Sequence, residues 1–323
     1  MRLTRRDRAD RAPGARRRGW AVGAAAATAL ALLVAAPSAT ASTPAYPVGD
    51  LGTAVSNFVL SPDAVAGANN WHCKPSPAHP TPVVLVHATF VDLGANWAVL
   101  SPTLANEGYC VYAFNYGMTW LSAGRIGGLG DIPQSAKTLQ SFVDTVLQRT
   151  GAPKVDLVGH SQGGLLPNYY IKRLGGAAKV RSFVALAPSN HGTTLNGIVT
   201  LGQKLNVLGF ANNVLGLLRL PGLVQQEVGS PFVQELFADG DTVPGPRYTV
   251  IETNRDTVVT PYTHAFLSGP AVRNVLIQDQ CADDPVGHIG MFADGPALQN
   301  VLNALGADDP DFRADCSGYG LPL

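Results

Sequence analysis

The sequence predicts an α/β fold in which helices cover both faces of a mostly parallel sheet. Short apolar runs rich in β-branched residues alternate along the chain with longer segments whose apolar residues recur at helical spacing. The runs are apolar at consecutive positions, which is typical of strands buried on both faces. Strands that alternate with helices favour parallel pairing, and ligands then bind beyond the carboxyl ends of the strands.

Six strands and four helices are predicted from these patterns. The clearest helix covers residues 135–148, where Leu139, Val143 and Val146 fall on one face. Further helices are predicted at residues 97–106, 165–174 and 297–305. The predicted strands are residues 83–86, 110–114, 155–158, 182–186, 248–253 and 272–277.

The first 41 residues have the pattern of an export signal that is removed. An arginine-rich stretch, residues 2–18, precedes an apolar core, residues 21–36, and Ala39-Thr40-Ala41 forms an A-x-A processing site. The apolar core is too short for a permanent membrane anchor. Arg16-Arg17-Arg18 is compatible with the twin-arginine route, and the general secretory route is equally open. We therefore expect a secreted protein.

The expected mature chain is acidic. The signal holds eight of the 23 basic residues and two of the 23 acidic ones, which leaves 15 basic and 21 acidic residues and a net charge of −6. No basic patch remains, so we expect no nucleic-acid partner. About 280 residues fit one large α/β domain or two small ones, and no repeat or charge block divides them. We place one domain at residues 73–323, after a lead-in at residues 42–72.

All four cysteines lie in the part of the chain expected outside the cell, where disulfides persist. Cys73 lies shortly before one predicted strand and Cys110 begins the next, while Cys281 and Cys316 bracket the last helix. Of the three possible pairings, we favour Cys73 with Cys110 and Cys281 with Cys316. A metal site is the alternative, but no Cys-x-x-Cys pair or histidine spacing supports it.

A Gly-x-Ser-x-Gly pentapeptide occupies residues 159–163, where a predicted strand runs straight into a predicted helix. Gly159 and Gly163 remove the side chains that would collide in so tight a turn. Ser161 can then occupy a strained position with its hydroxyl exposed above the sheet, as an activated nucleophile requires. A chain with 35 glycines can also produce this pattern by chance, so the partners of Ser161 decide between the two interpretations.

An activated serine needs a general base, and histidine is the natural one. His288 follows the last predicted strand on a loop and precedes the last helix, which is where this chain order places the base. His87 and His160 stand at the ends of strands, and we expect them to hold backbone geometry or to shape the pocket. His191 is a candidate for substrate contact, and His264 has no evident role.

The base in turn needs a carboxylate that fixes its tautomer. Asp256 lies on the turn that follows the predicted strand at residues 248–253. Asp279, Asp283 and Asp284 compete with it, but they share the loop of the histidine, and nearness in sequence does not orient the ring. The sequence favours Asp256, with Asp283 and Asp284 as the main alternatives.

Two backbone amides are expected to stabilise an oxyanion that forms on the substrate. The N–H of Gln162, directly after the serine, lies at a helix N-terminus. Thr89, in the loop after the first predicted strand, can present its N–H toward the same point, and Phe90 is the neighbouring alternative.

One segment, residues 195–236, interrupts the alternation of strands and helices. Two interpretations stand: helices of the core, or a cap whose apolar inner face contacts an acyl chain. Its position after Ser161 and before Asp256, between two predicted strands, favours the cap. Its apolar residues recur at helical spacing; they are Ile198, Leu201, Leu205, Leu208, Phe210, Val214, Leu217, Leu218, Leu220, Leu223 and Val224.

Five motifs occur in a fixed order between about residues 73 and 305: P-V-V-L-V-H-A-T-F, G-Y-C-V-Y-A-F-N-Y-G, V-G-H-S-Q-G-G, N-H-G-T-T and R-D-T-V-V-T-P-Y. Together they resemble the secreted lipases of actinobacteria, a branch of the α/β-hydrolase superfamily. The resemblance implies an α/β-hydrolase fold and hydrolysis of acylglycerol esters, with neither a metal nor an organic cofactor. It also implies a triad of Ser161, Asp256 and His288, with Thr89 and Gln162 as oxyanion donors.

One residue departs from the resemblance. Ala88 stands where the family usually has a glycine after the strand histidine. If this position requires a positive φ angle, the alanine costs about 1 kcal/mol or more and shifts the oxyanion loop.

The leading hypothesis is a monomeric, exported serine hydrolase that acts on lipid esters at a lipid–water interface. A short-chain carboxylesterase and a polyester depolymerase stay open, because acyl length depends on the depth of the groove under the cap. The alternative from another class is a catalytically silent protein of this fold that binds lipid or a cell-envelope partner. The intact set of Ser161, Asp256 and His288 argues against that alternative.

Overall fold

The computed structural model describes residues 46–122, 124–207 and 220–323. The expected export signal, residues 1–41, lies outside them, and so do Leu208, Phe210, Val214, Leu217 and Leu218 of the apolar segment. Within the described ranges, no helix combines the length and the apolar composition needed to cross a membrane.

Six parallel strands form one sheet, in the order β2-β1-β3-β4-β5-β6. This sheet confirms the predicted parallel architecture, and each predicted strand agrees with an observed one to within two residues at either end. The strands are β1 (Val83–Val86), β2 (Val111–Phe114), β3 (Val155–His160), β4 (Val180–Leu186), β5 (Arg247–Glu252) and β6 (Val272–Leu276).

Helices connect the strands in chain order. Short 3₁₀ turns cover residues 120–122, 176–178, 262–265 and 289–293. The α-helices of the described residues are α1 (Leu51–Leu60), α2 (Leu93–Asn96), α3 (Leu100–Asn106), α4 (Ile132–Thr150), α5 (Gln162–Arg173), α6 (Leu195–Val207), α7 (Pro221–Val224), α8 (Pro231–Phe237), α9 (Ile277–Gln280) and α10 (Gly295–Leu305).

Each face of the sheet has its own hydrophobic core. Because successive residues of a strand point to opposite faces, Val84 and Val86 of β1 pack in one core with Leu139 of α4. Val83 and Leu85 of the same strand lie in the other core, which also holds side chains of α3 and α10. All four β1 residues are fully buried, which explains why the strand reads as a continuous apolar run.

Two helical predictions differ from the structure. The helix expected at residues 97–106 begins at Leu100, because Trp97 ends the separate helix α2 with backbone angles of φ −110° and ψ 17°. Helix α1 was not predicted within the lead-in. It begins at Leu51 and is capped by Asp50, whose carboxylate accepts the N–H of Thr53 at 2.8 Å. The helix buries Ala54 and Phe58.

The two disulfides have the favoured pairing. Cys73 is bonded to Cys110, directly before β2, and Cys281 is bonded to Cys316. The second bridge joins the end of α9 to the C-terminal segment, residues 316–323. That segment lies against the loop of His288, since the N–H of Ile289 donates to the carbonyl of Leu323 at 2.8 Å.

Candidate active site

Ser161 is the single residue between β3 and α5, where the chain makes a sharp turn. Its backbone has φ 56° and ψ −121°, a region that side-chain-bearing residues rarely occupy. Two backbone hydrogen bonds hold this conformation: the N–H of Ser161 donates to Leu186 at 2.9 Å, and the N–H of Gly164 donates to Ser161 at 2.8 Å. Strain of this kind costs about 1–3 kcal/mol and persists where the surrounding structure enforces it.

The two glycines of the turn allow close approaches of backbone to backbone. A Cβ atom at Gly159 would overlap the carbonyl oxygen of Gly163. A Cβ atom at Gly163 would overlap the carbonyl oxygens of Val86 and His87, at the end of β1. Both glycines are therefore needed for the helix to start directly above the sheet with Ser161 between them.

The structure brings Ser161 and His288 into hydrogen-bond contact. His288 follows α9 and directly precedes the 3₁₀ turn at residues 289–293. Its Nε2 atom lies 2.9 Å from the Oγ of Ser161. Both residues are buried, with 2% of the surface of Ser161 and 1% of that of His288 exposed, so the contact is shielded from bulk water.

Asp256 lies on the other side of the imidazole. Its Oδ2 atom accepts the Nδ1–H of His288 at 2.7 Å. Its Oδ1 atom accepts the N–H groups of Val258 and Val259 at 2.7 and 2.8 Å. Three donors therefore fix this carboxylate, and the ring is left with an unprotonated Nε2 that faces the Ser161 hydroxyl.

The competing acids do not reach His288. Asp279 and Asp283 are exposed on the surface. Asp284 is buried, but its Oδ1 atom accepts the N–H of Val286 at 2.9 Å, and its carboxyl group lies beside that of Asp294. Of the three acids, only Asp284 thus supports the local structure of the His288 loop.

Two further histidines are neutral and support the loops of the site. Burial lowers the pKa of His87 to about 4, and its Nδ1–H donates to Ala88 at 2.8 Å. Burial, followed by the charge of His288, lowers the pKa of His160 to about 3. His160 donates its Nε2–H to the backbone carbonyl of His288 at 3.0 Å, and its Nδ1 lies 3.3 Å from the Oδ1 of Asn96. These contacts agree with the expected structural roles.

Two more histidines, His191 and His264, lie away from these side chains. His191 was the candidate for substrate contact. Its Nε2 is 3.5 Å from a carboxylate oxygen of Asp241, and its ring packs on Phe237. His264 has its Nδ1 3.2 Å from the carbonyl oxygen of Gly192. Neither histidine contacts Ser161 or His288.

The backbone N–H groups expected to bind an oxyanion differ in whether they already have an acceptor. Gln162 is the first residue of α5, so its N–H has no acceptor within the helix. The N–H of Phe90 donates to Gly127 at 3.0 Å, which removes Phe90 as a donor. No backbone or side-chain acceptor for the N–H of Thr89 is found among the described residues.

The condition under which Ala88 would strain the loop is not met. Ala88 does not have a positive φ; the left-handed residue of this loop is Phe90, with φ 69°. The N–H of Ala88 donates to the Oδ1 of Asn96 at 2.8 Å. An alanine therefore fits this position without backbone strain, and the loop before Thr89 is held by a side chain that the sequence did not single out.

Glutamine side chains, which the sequence analysis missed, close the site. Gln162 donates its Nε2 to the carbonyls of Gly128 and Gly222, at 2.9 and 3.0 Å. Gln226 donates its Nε2 to the Oγ1 of Thr89 at 3.2 Å and accepts the hydroxyl of Ser189 at 3.0 Å. Gln225 and Gln226 directly follow Val224, the last in the set of apolar residues at helical spacing in residues 195–236, and this contrast is the signal that could have indicated a polar role.

Two cavities flank the Ser161–His288 pair. The larger one, of about 30 Å³, reaches His288, Thr89 and His160 and has mostly apolar walls. The smaller one, of about 10 Å³, reaches Ser161, Thr89 and Gln226. Leu201 of α6 lines both, so part of the apolar segment at residues 195–236 faces the site. The larger cavity is further lined by Ala54, Val91, Leu205, Ile289 and Phe292.

Comparisons with known proteins find similarity to lipases. The model of the family Lipase (class 2) matches residues 80–294. A triacylglycerol lipase of Pseudarthrobacter phenanthrenivorans is 34% identical over 93 residues, which cover 27% of each chain. One of Burkholderia plantarii is 34% identical over 93 residues, 27% of this chain and 24% of the relative. The chain thus spans about a quarter of the length of these curated relatives.

A solved structure supports the fold. The crystal structure of Aspergillus fumigatus lipase B superposes with a TM-score of 0.56 at 20% identity and covers 77% of this chain and 57% of that one. Together with the parallel six-stranded sheet, this likeness confirms the predicted α/β-hydrolase fold.

Proposed function

Because the chain belongs to the class 2 lipase family, we propose that it is an exported serine hydrolase that cleaves carboxylic esters of acylglycerols. The observation that carries the proposal is the continuous hydrogen-bonded chain from Ser161 Oγ through His288 to Asp256, at 2.9 and 2.7 Å. A buried serine, imidazole and carboxylate in this order is the arrangement that activates a hydroxyl for acyl transfer.

In the first half of the proposed reaction, the Oγ of Ser161 attacks the carbonyl carbon of the ester while His288 Nε2 takes the hydroxyl proton. Asp256 stabilises the imidazolium that forms. The negative charge on the former carbonyl oxygen is stabilised by the N–H groups of Thr89 and Gln162. His288 then gives its proton to the leaving alkoxide, which departs as the alcohol, and the acyl group stays on Ser161.

In the second half, water attacks the acyl-enzyme with His288 as the base. The carbon–oxygen bond to Ser161 breaks, the serine recovers its proton from His288, and the carboxylic acid is released. Because His288 protonates the leaving alcohol, the alcohol part of the ester lies on the His288 side of Ser161. The apolar walls of the larger cavity on that side support a lipid ester as the substrate class.

Export is part of the proposal. Two disulfides are compatible with an oxidising compartment. The arginine-rich and apolar pattern of residues 1–41 supports a cleaved signal. Detection of a mature protein that begins at Ser42 in the medium of the expressing cell tests this part, and a retained N-terminus would contradict it.

The activity is tested with the purified mature protein on a series of p-nitrophenyl and glycerol esters of increasing acyl length. We expect hydrolysis of long-chain esters and a loss of more than about 10³-fold in Ser161→Ala. Covalent labelling by a fluorophosphonate probe reports the activated serine independently of acyl length. Activity confined to short acyl chains would favour a carboxylesterase, and labelling that persists in Ser161→Ala would refute the assignment of the nucleophile.

A further inference from the structure

A second carboxyl group lies beside Asp256 and has no part in the reaction described above. Glu252 is the last residue of β5, and none of its surface is exposed. Its Oε1 atom accepts the N–H of Thr253 at 2.7 Å. Its Oε2 atom is also buried, and no N–H or neutral O–H group of the described residues donates to it. The carboxyl group of Glu252 is within hydrogen-bond reach of that of Asp256.

The number of hydrogen-bond donors to each of the two carboxyl groups decides which of them is charged. Asp256 receives three donors, the N–H groups of Val258 and Val259 and the ring of His288. Glu252 receives one, from Thr253. Two carboxylates in contact and shielded from water do not both stay ionised, and the proton goes to the less solvated one. Burial and the negative charge of Asp256 raise the pKa of Glu252 well above its usual range.

We propose that Glu252 is protonated at neutral pH and donates its O–H to Asp256, as a positioning residue that gives the carboxylate beside His288 a fourth donor. The protonation follows from the buried contact alone. Its effect on the rate rests on the proposed function.

Four other titratable or charged side chains lie around this pair: His288, Lys204, Arg255 and His160. His288 faces Asp256 from the loop after α9. Lys204 of α6 donates to the Oγ1 of Thr257 at 2.9 Å, and its positive charge acts on Asp256. Arg255 turns away, with its Nε donating to the carbonyl of Asp284 at 2.9 Å. His160, which faces Asp256 from the end of β3, is neutral.

Two consequences follow for the reaction. Loss of the Glu252 proton at alkaline pH would place a second negative charge beside Asp256. Repulsion between the two carboxylates would then displace Asp256 from His288, so activity falls there. Removal of the donor at acidic and neutral pH leaves Asp256 less stabilised. It then holds the imidazolium of His288 more strongly, and the acid limb of the rate profile moves to higher pH.

The protonation is measured directly by carbon NMR. The sequence contains four glutamates, Glu107, Glu227, Glu235 and Glu252, so protein labelled with ¹³C at glutamate Cδ gives four carboxyl signals. We expect one signal to keep the chemical shift of a protonated carboxyl at pH 7 and to be absent from Glu252→Gln. Four signals that all titrate between about pH 4 and 5 would overturn the proposal.

The role in catalysis is measured by pH profiles of kcat/KM. Glu252→Gln keeps a donor of similar shape, so we expect activity within about threefold of the unmodified protein at pH 7 and loss of the alkaline fall. Glu252→Met removes the donor, and we expect the acid limb to move up by about one pH unit. A merely structural role would lower kcat/KM in both variants without moving either limb, and that result would refute the positioning role.

A matched control is Asp92→Asn. Asp92 is also buried, and burial raises its pKa to about 8, but it caps α2 through the N–H of Ala95 and does not contact Asp256. Its replacement should leave both limbs in place. If the unmodified protein hydrolyses no ester, the proposed function fails while the NMR result still decides the protonation of Glu252.

Discussion

Replacement of Asp256 by asparagine separates the charge of this residue from its shape. The N–H groups of Val258 and Val259 both require an oxygen acceptor at 2.7 and 2.8 Å, so the amide oxygen of the asparagine must face them. The reverse orientation would leave two buried donors unpaired, at a cost of about 1–3 kcal/mol each. The NH₂ group therefore faces the Nδ1 of His288 and forces the ring to carry its proton on Nε2.

A ring protonated on Nε2 directs its N–H at Ser161 and cannot accept the hydroxyl proton. We expect kcat/KM of Asp256→Asn to fall about 10³- to 10⁴-fold, or about 4–5.5 kcal/mol of transition-state stabilisation. The rate of fluorophosphonate labelling should fall in parallel. Asp283→Asn makes the same chemical change on the exposed part of the His288 loop and should stay within about twofold. If Asp256→Asn keeps more than a tenth of the activity, or if Asp283→Asn loses as much, the assignment of the acid is wrong.

Two predictions concern stability. Gly163→Ala places a Cβ atom on the carbonyl oxygens of Val86 and His87, so chemical denaturation should show that the free energy of unfolding falls by about 3 kcal/mol or more. Gly52→Ala, in the exposed first turn of α1, is the control and should change the free energy of unfolding by less than about 1 kcal/mol. Equal effects of the two substitutions would contradict the packing argument. Burial, with a contribution from Asp284, raises the pKa of Asp294 from 3.8 to about 6. The stability that its protonated form contributes is complete below pH 3.8 and is lost as pH rises through 6. The free energy of unfolding of the unmodified protein relative to Asp294→Asn should therefore decrease between pH 4 and pH 7, by at most about 3 kcal/mol, and a difference that grows with pH would refute the assignment.

The strands were predictable because each is buried on both faces. Val83 to Val86 contact one core or the other at every position, which leaves a continuous apolar run in the sequence. Helix α1 was missed because its signals, a cap at Asp50 and the two buried side chains of Ala54 and Phe58, are weak in a lead-in rich in small residues. The break at Trp97 depends on tertiary packing, which helical spacing alone does not report.

Some parts of the candidate site could be predicted from the sequence, and others could not. Ser161, His288 and Asp256 each follow a strand, so their convergence at one edge of the sheet follows from chain order. The contact between Gln226 and Thr89 joins residues 137 positions apart, and no local pattern encodes it. The sequence also did not show that the positive φ of this loop falls two residues after Ala88, at Phe90, whose N–H donates to Gly127.

Burial and the number of donors together determine which groups around Ser161 carry charge. Three histidines lie in or beside the site, and desolvation keeps His87 and His160 neutral by lowering their pKa values to about 4 and 3. His288 differs from them because its ring contacts a carboxylate, that of Asp256. That carboxylate accepts three hydrogen bonds, whereas Glu252 beside it accepts one. Among the three histidines, the proposed base is thus the one that contacts Asp256. Asp256 is in turn held by the backbone amides of the turn after β5.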